Sequence, residues 1–189
     1  MIAGVDYSLT SPAITLHDGI DWNYNNITHY CISNSEQQRM RCADIKNLKI
    51  YPYKEWKNEM ERYNFLADWA IDCITKPFKR PSLVVLEDYA YAGTGRVFHI
   101  AENTAILKQK MTECGLRYKL VPPTVIKKYA TTKGNANKEL MYEHFCKETN
   151  TQINMTISPK SNKIGNPTSD IVDSYYICKY GLENLTSSQ

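Results

Sequence analysis

The chain has 189 residues, 42% of them hydrophobic and 23% charged, proportions that exclude a disordered or fibrous protein and are typical of a globular domain. This length excludes two full-sized lobes, so we expect one domain over residues 1–189 with one active site. The net charge of +3 permits a polyanionic partner without identifying one.

The N-terminal segment and the cysteines indicate the compartment. The chain begins MIAGVDYS, with no basic start followed by an apolar run, and its longest apolar stretches are far too short to span a bilayer. Its six cysteines lie far apart and include no C-x-x-C pair, a pattern typical of free thiols in a reducing compartment. We expect a cytoplasmic protein with no membrane partner.

Three extended segments open the chain. The runs Ile2–Val5, Pro12–Leu16 and Ile27–Ser33 predict an antiparallel meander of three strands. Residues 34–53 are polar and irregular and are interpreted as a possible insertion. From about Lys54 to Ile74, apolar residues recur with the period of a helix.

Helices and strands alternate in the rest of the chain. Leu83–Leu86 is a continuous apolar run that predicts a strand buried on both faces, and Tyr118–Val121 predicts a fifth strand. Further helices are predicted, in chain order, over about 97–113, 124–130, 137–148 and from Thr168 onward, with residues 183–189 as a tail. This order predicts an α/β fold with a five-stranded mixed sheet, three antiparallel strands and then two parallel ones, flanked by helices.

Two acids end predicted strands and two begin the last helix. Asp6 and Glu87 follow apolar strands, where an unpartnered charge is costly to bury, and two such strand ends can be neighbours in a mixed sheet. Asp170 and Asp173 are three residues apart and therefore share one helix face. We expect the four carboxylates to form one site.

Such a site needs a cation, because four carboxylates at one place repel each other unless a divalent ion neutralises them. Oxygen ligands without His or Cys favour Mg²⁺ or Mn²⁺. We expect two ions about 3.5–4 Å apart, an arrangement that activates water for phosphodiester hydrolysis, and no small-molecule cofactor. With four acids on metal, 23 basic residues stand against the remaining 16 of 20 acidic ones, a surplus that suits a polyanion.

Each acid also has a structural explanation. Asp170 in a first helical turn complements the helix dipole, and Asp173 can be an exposed face residue. Asp6 can belong to a turn, and Glu87 can end its strand in solvent. The order and spacing of the whole set carry the prediction, because each single signal is weak.

The ordered set resembles the RuvC family of Holliday junction resolvases, which have a ribonuclease H-like fold. The segments that carry the resemblance are GVDYSLTSPAI, VVLEDYAYAGTGR, PPTVIKKYATTKGNANKELM and SDIVDSYYICKYG. The resemblance implies a Mg²⁺-dependent crossover junction endodeoxyribonuclease, a homodimer that nicks four-way branched DNA symmetrically during recombination or repair. It implies these catalytic and metal-binding residues: Asp6, Glu87, Asp170 and Asp173.

One departure from the family concerns the first acid. The family usually has a D-P-G turn there, whereas this chain has Asp6-Tyr7-Ser8, which is more like phage or viral members. We therefore expect a viral source, and the host cytoplasm as the compartment. By analogy with the fold, the helix over residues 97–113 is where we expect the dimer contact.

Basic and aromatic residues near the acids are predicted to contact DNA. The predicted set is Lys127, Lys128, Lys133, Lys138, Lys160, Lys163, Tyr89, Tyr91 and Arg96. The resemblance places Lys127 and Lys138 where the family carries DNA-contacting or site-adjacent lysines. The lysines are also typical of a solvated helix and loop, and the tyrosines of half-buried packing. His99 and His144 are expected to be surface or core residues.

Three other functions remain alternatives. A different nuclease of the same fold would cut an RNA:DNA hybrid or act as an exonuclease. A junction-binding protein would carry an idle site. An actin-like phosphotransferase would use Asp6, Ser8 and Thr10 as a phosphate-binding hairpin, but that fold needs two lobes around its nucleotide and 189 residues supply one.

Overall fold

The computed structural model describes residues 1–76, 80–88 and 97–186, in which one mixed sheet lies between two layers of helices. Its strands are β1 Ile2–Asp6, β2 Ala13–His17, β3 Ile27–Ile32, β4 Leu48–Tyr51, β5 Leu83–Glu87 and β6 Tyr118–Val121. Its α-helices are α1 Glu36–Arg41, α2 Glu59–Thr75, α3 Val97–Glu113, α4 Pro123–Thr131, α5 Lys138–Thr149, α6 Ile153–Ile157 and α7 Thr168–Leu185.

The sheet has the order β4-β3-β2-β1-β5-β6, with β1 at its centre. β2 is antiparallel to β1 and to β3, whereas β5 is parallel to β1 and to β6. The predicted α/β class is confirmed, as are three antiparallel strands followed by two parallel ones. Because β4 is parallel to β3, the carboxyl ends of β1, β3, β4, β5 and β6 lie along one edge, called the carboxyl edge below.

The predicted strand count was wrong by one. The sixth strand, β4, lies within residues 34–53, which were expected to be irregular, and pairs with β3 from His29↔Leu48 to Ile32↔Tyr51. Helix α1 occupies the same segment. The strand has four residues at the sheet edge, and Leu48 alone is fully buried, so it lacks the long apolar run by which a central strand is recognised.

Two cores fill the space above and below the sheet. On one face, α2 and α3 pack through side chains such as Leu66, Ala70 and Leu107 against Ala3 and Val5. On the other face, α7 packs across the middle of the sheet, with α4, α5 and α6 outside it. The buried side chains of this second core include Ile2, Val85, Ile126, Phe145, Tyr175 and Tyr176.

Helix α7 approaches the central strand so closely that a side chain cannot fit between them. A Cβ atom on Gly4 would lie 2.2 Å from the backbone nitrogen of Cys178 and 2.5 Å from the carbonyl oxygen of Ser174. A Cβ on Gly181 would lie 2.6 Å from Cγ2 of Val85. The two glycines therefore allow the middle and last turns of α7 to lie directly on β1 and β5.

The predicted boundaries of α3, α4 and α5 and the start of α7 agree with the structure to within about one residue. The expected tail begins inside α7, which ends at Leu185, and α6 was not predicted. The largest difference in a predicted boundary is at α2. That helix begins at Glu59 rather than near Lys54, because the side chain of Asn58 accepts a hydrogen bond from the amide of Glu61 and caps the N-terminus. In the described part of the chain, no helix combines the length and the apolar character needed to cross a membrane.

Candidate metal centre and nucleic-acid surface

The alternation of side chains along β1 and β5 brings Asp6 and Glu87 to one place. Ile2 and Gly4 face α7, so Asp6, next in the same alternation, faces it too. Leu83 and Val85 belong to the same core and place Glu87 on the same face. Since Val5 pairs with Leu86 in the parallel register, Asp6 and Glu87 end adjacent strands side by side.

Helix α7 adds the other two acids to this face. Asp170 lies in its first turn and Asp173 one turn further, on the side that continues through Ser174 to the contact with Gly4. Asp6 and Asp170 retain only 9% and 6% of their exposure. The structure therefore brings together the four predicted acids at the carboxyl edge, between β1, β5 and α7.

Burial and mutual repulsion disfavour ionisation of these acids. Burial, followed by the charges of Asp170, Glu87 and Asp173, raises the pKa of Asp6 well above its usual value. Burial also raises the pKa of Glu87 to about 7 and those of Asp170 and Asp173 to about 6. A nearby lysine or hydroxyl group also lowers the pKa of each of these three acids, which partly offsets the rise caused by burial.

The carboxylate of Asp170 lies in a hydrogen-bond network that the sequence did not reveal. The hydroxyl of Ser11 donates to Oδ2 of Asp170 at 2.5 Å, and the hydroxyl of Ser169 donates to Oδ1 at 3.3 Å. Nδ2 of Asn166 donates to the Ser11 hydroxyl at 2.5 Å. Nζ of Lys138 donates to Oδ1 of Asn166 and to the hydroxyl of Ser169, both at 3.1 Å. These contacts fix the orientation of Asp170 from three separate segments.

Two predicted lysines lie beside the acids. The positive charge of Lys138 partly offsets the rise in the pKa values of Asp6, Asp170 and Asp173. The positive charge of Lys127 lowers those of Glu87 and Asp173. Helices α4 and α5 thus each place one cation beside the cluster.

The donor set suits a hard divalent cation, because it consists of carboxylate oxygens whose raised pKa values reflect uncompensated burial and repulsion. Among residues 1–76, 80–88 and 97–186, no three His, Cys, Asp or Glu side chains come close enough to hold a metal ion as they stand. Hydroxyl groups occupy part of the Asp170 carboxylate. A bound cation would therefore have to draw the carboxylates together.

The remaining predicted residues are distributed as follows. Lys128 and Lys133 are exposed on and after α4, and Lys160 and Lys163 are exposed in the segment between α6 and α7. Tyr89, Tyr91 and Arg96 lie outside the described residues.

The histidines are not arranged as catalytic groups. Nδ1 of His99 lies 2.7 Å from the hydroxyl of Tyr63, and His144 is half-buried on α5. His29 is fully buried, and burial lowers its pKa to about 3, so it is neutral at physiological pH. Its Nδ1 lies 2.9 Å from the hydroxyl of Thr15, within the core below α7.

Comparison of the fold with solved structures identifies similar proteins. RuvC of Thermus thermophilus has a TM-score of 0.58 and 13% identity over 95% of this chain and 93% of that one. RuvC of T. thermophilus in complex with a Holliday junction substrate has a TM-score of 0.58 and 12% identity over 93% of this chain and 90% of the other. The yeast mitochondrial Holliday junction resolvase Ydc2 has a TM-score of 0.49 and 14% identity over 96% and 78%.

No protein-family model and no curated protein matches the sequence. The structural similarity extends over nearly the whole chain, and the chain has the fold of RuvC, which is ribonuclease H-like. The expected fold is therefore confirmed at a sequence identity too low for a sequence comparison to detect it.

Proposed function

We propose that this chain is a metal-dependent endonuclease that nicks four-way DNA junctions at symmetric positions, acting as a homodimer. The observation that carries the proposal is the meeting of Asp6, Glu87, Asp170 and Asp173 at one edge of a RuvC-like sheet. Three distant segments would have no structural reason to place four buried or half-buried acids together, because the arrangement destabilises the fold at neutral pH.

The residues of the site would have three roles, which are to bind the metal ion, to orient Asp170 and to contact DNA. The four acids would hold Mg²⁺ or Mn²⁺, which supplies water activation and stabilisation of the leaving oxygen. Ser11, Ser169 and Asn166 orient Asp170 or its neighbours through hydrogen bonds. Lys127 and Lys138 stand beside the acids, where they would attract the phosphate backbone.

Branched DNA is proposed as the substrate because of what the similar protein binds. The T. thermophilus RuvC complex contains a Holliday junction substrate, and this chain matches that structure over 93% of its length. The basic residues Lys127, Lys138, Lys160 and Lys163 lie on elements that border the acidic cluster or lead into it. Their charge suits a nucleic acid partner.

The proposed homodimer has a candidate contact at the start of α3. Phe98 is 81% exposed there, and Val97 and Ile100 are exposed beside it. Sedimentation equilibrium should give the mass of a dimer at micromolar concentration, and a monomer at that concentration would contradict the proposed assembly.

A comparison of substrates tests the proposed activity. Four-way, Y-shaped and linear duplex DNA and an RNA:DNA hybrid would be incubated with the protein in Mg²⁺. We expect symmetric nicks in the four-way junction at a rate well above that for the duplex. Preferential cleavage of the RNA strand would support the alternative ribonuclease, and junction binding without cleavage would support the non-catalytic alternative.

The position of Lys138 gives a prediction about pH. Lys138→Met removes the charge that lowers the pKa values of Asp6, Asp170 and Asp173. These acids would then lose their protons, and so become able to bind a cation, at a higher pH. The midpoint of the pH–rate profile for junction nicking should therefore move upward. Lys138→Arg, which retains the charge, should leave the midpoint nearly in place, and an unshifted Lys138→Met profile would contradict this role.

A further inference from the structure

Helix α1 stands at the same edge of the sheet as the acidic cluster. It follows β3, whose carboxyl end lies at the carboxyl edge because β3 and β1 are both antiparallel to β2. Cys42, at the C-terminal cap of α1, is buried in the core on the face covered by α7. The segment interpreted from sequence as an insertion is therefore on the site's side of the molecule.

Side chains of α1 are joined to the segment that leads into Asp170. Nε2 of Gln38 donates to the hydroxyl of Ser158 at 3.0 Å, and Nη1 of Arg41 donates to the carbonyl oxygen of Ile157 at 3.3 Å. At the other end, Nη1 of Arg39 donates to the carbonyl oxygen of Ser33 at 2.6 Å. These bonds hold α1 against residues 157–163, which carry Lys160 and Lys163.

The two arginines of α1 are held by neutral groups. Arg39 and Arg41 bond to backbone carbonyl oxygens and, for Arg41, to the amide oxygen of Gln37. Neither arginine forms an ion pair with an acid within the described part of the chain, and the same holds for Lys160 and Lys163.

Four lysines elsewhere in the described part of the chain are neutralised by a carboxylate instead. The lysines that pair with a carboxylate are Lys76 with Asp72, Lys110 with Asp68, Lys147 with Glu143 and Lys179 with Glu148. A guanidinium held by neutral acceptors keeps its full charge and several free N–H donors, and its planar fork matches the geometry of a phosphate. The arginines of α1 are thus positioned without being neutralised.

We propose that α1 and residues 158–163 form a DNA-backbone surface, with Arg39 and Arg41 as its phosphate-contacting residues. Along the sheet, α1 lies with β3 and β4 on one side of the β1–β5 pair that carries Asp6 and Glu87, whereas α4, which carries Lys127, follows β6 on the other side. A DNA arm entering the site would then be held by cations on both sides. This inference rests on the proposed function, since it names further contacts to the same nucleic acid.

The salt dependence of junction binding tests this surface. In the double variant Arg39→Gln/Arg41→Gln, both charges are removed while an amide donor remains for the carbonyl contacts. In Ca²⁺, we expect binding of the four-way junction to weaken roughly 10-fold at about 0.1 M salt, and the slope of log K against log salt to become shallower by about 2. Arg39→Lys/Arg41→Lys should retain most of the slope.

A matched control is available at the opposite edge of the sheet. Arg117 is exposed immediately before β6, at the end of that strand away from the acids, and Arg117→Gln should bind like the parent. An unchanged slope in the double variant would overturn the proposal, and so would an equal loss in the Arg117 variant. If the parent binds the junction with the expected slope but does not cut it, the endonuclease proposal fails while the binding surface stands.

Discussion

Replacing any one of the four acids by its amide is expected to reduce Mg²⁺-dependent nicking of a four-way junction by roughly 10³-fold or more. The variants are Asp6→Asn, Glu87→Gln, Asp170→Asn and Asp173→Asn. Each removes one negative charge from the proposed metal site and leaves the volume of the side chain nearly unchanged. Single-turnover cleavage of an end-labelled junction measures the effect.

Junction binding should survive in the same variants, because the predicted phosphate contacts lie on other side chains. Asp21→Asn is a suitable control: Asp21 is exposed in the loop after β2, whose carboxyl end lies at the opposite edge of the sheet. The control should cut at the parent rate. If any two of the four cluster variants also cut at the parent rate, the proposed site is wrong.

Asp173→Asn is expected to stabilise the metal-free protein while it abolishes activity. In the unfolded chain, an aspartate loses its proton at a pKa of about 4, whereas burial and the charge of Asp170 raise the pKa of folded Asp173 to about 6. Between these values the folded state binds more protons, so the stability of the parent falls as pH rises from about 4 to about 6 and stays lower above that. The asparagine variant avoids this loss.

The expected gain in the free energy of unfolding is about 3 kcal/mol at pH 8, from a difference of roughly two pKa units at about 1.4 kcal/mol each. Urea denaturation in EDTA measures it, and the difference between variant and parent should disappear near pH 4. Mg²⁺ should stabilise the parent more than the variant, because the proposed site exists only in the folded parent. A variant less stable than the parent at pH 8 would show that Asp173 is structural.

Five of the six strands and the final helix could be predicted because their signals are local. Asp6 and Glu87 could be predicted as site residues because each ends an apolar run. The shared helix face of Asp170 and Asp173 follows from their spacing. The pairing of β1 with β5 then brings them together, as any parallel pair in this order would.

Other parts of the site had no local signal. Ser11 and Asp170 are 159 residues apart, and their hydrogen bond exists only in the folded chain. Strand β4 is short and half-covered, so β-pairing with β3 rather than its own sequence determines its conformation. The position of α1 beside residues 157–163 follows from these tertiary contacts and could not be read from composition.

The most direct test of the metal site is anomalous diffraction from crystals of the protein grown or soaked with Mn²⁺. We predict a Mn²⁺ peak with carboxylate oxygens of Asp6 and Asp173 in its coordination sphere, with Glu87 or Asp170 as a further ligand, and no such peak in Asp173→Asn crystals. A parent crystal with Mn²⁺ bound only elsewhere, or with the four carboxylates free of metal at saturating Mn²⁺, would contradict it.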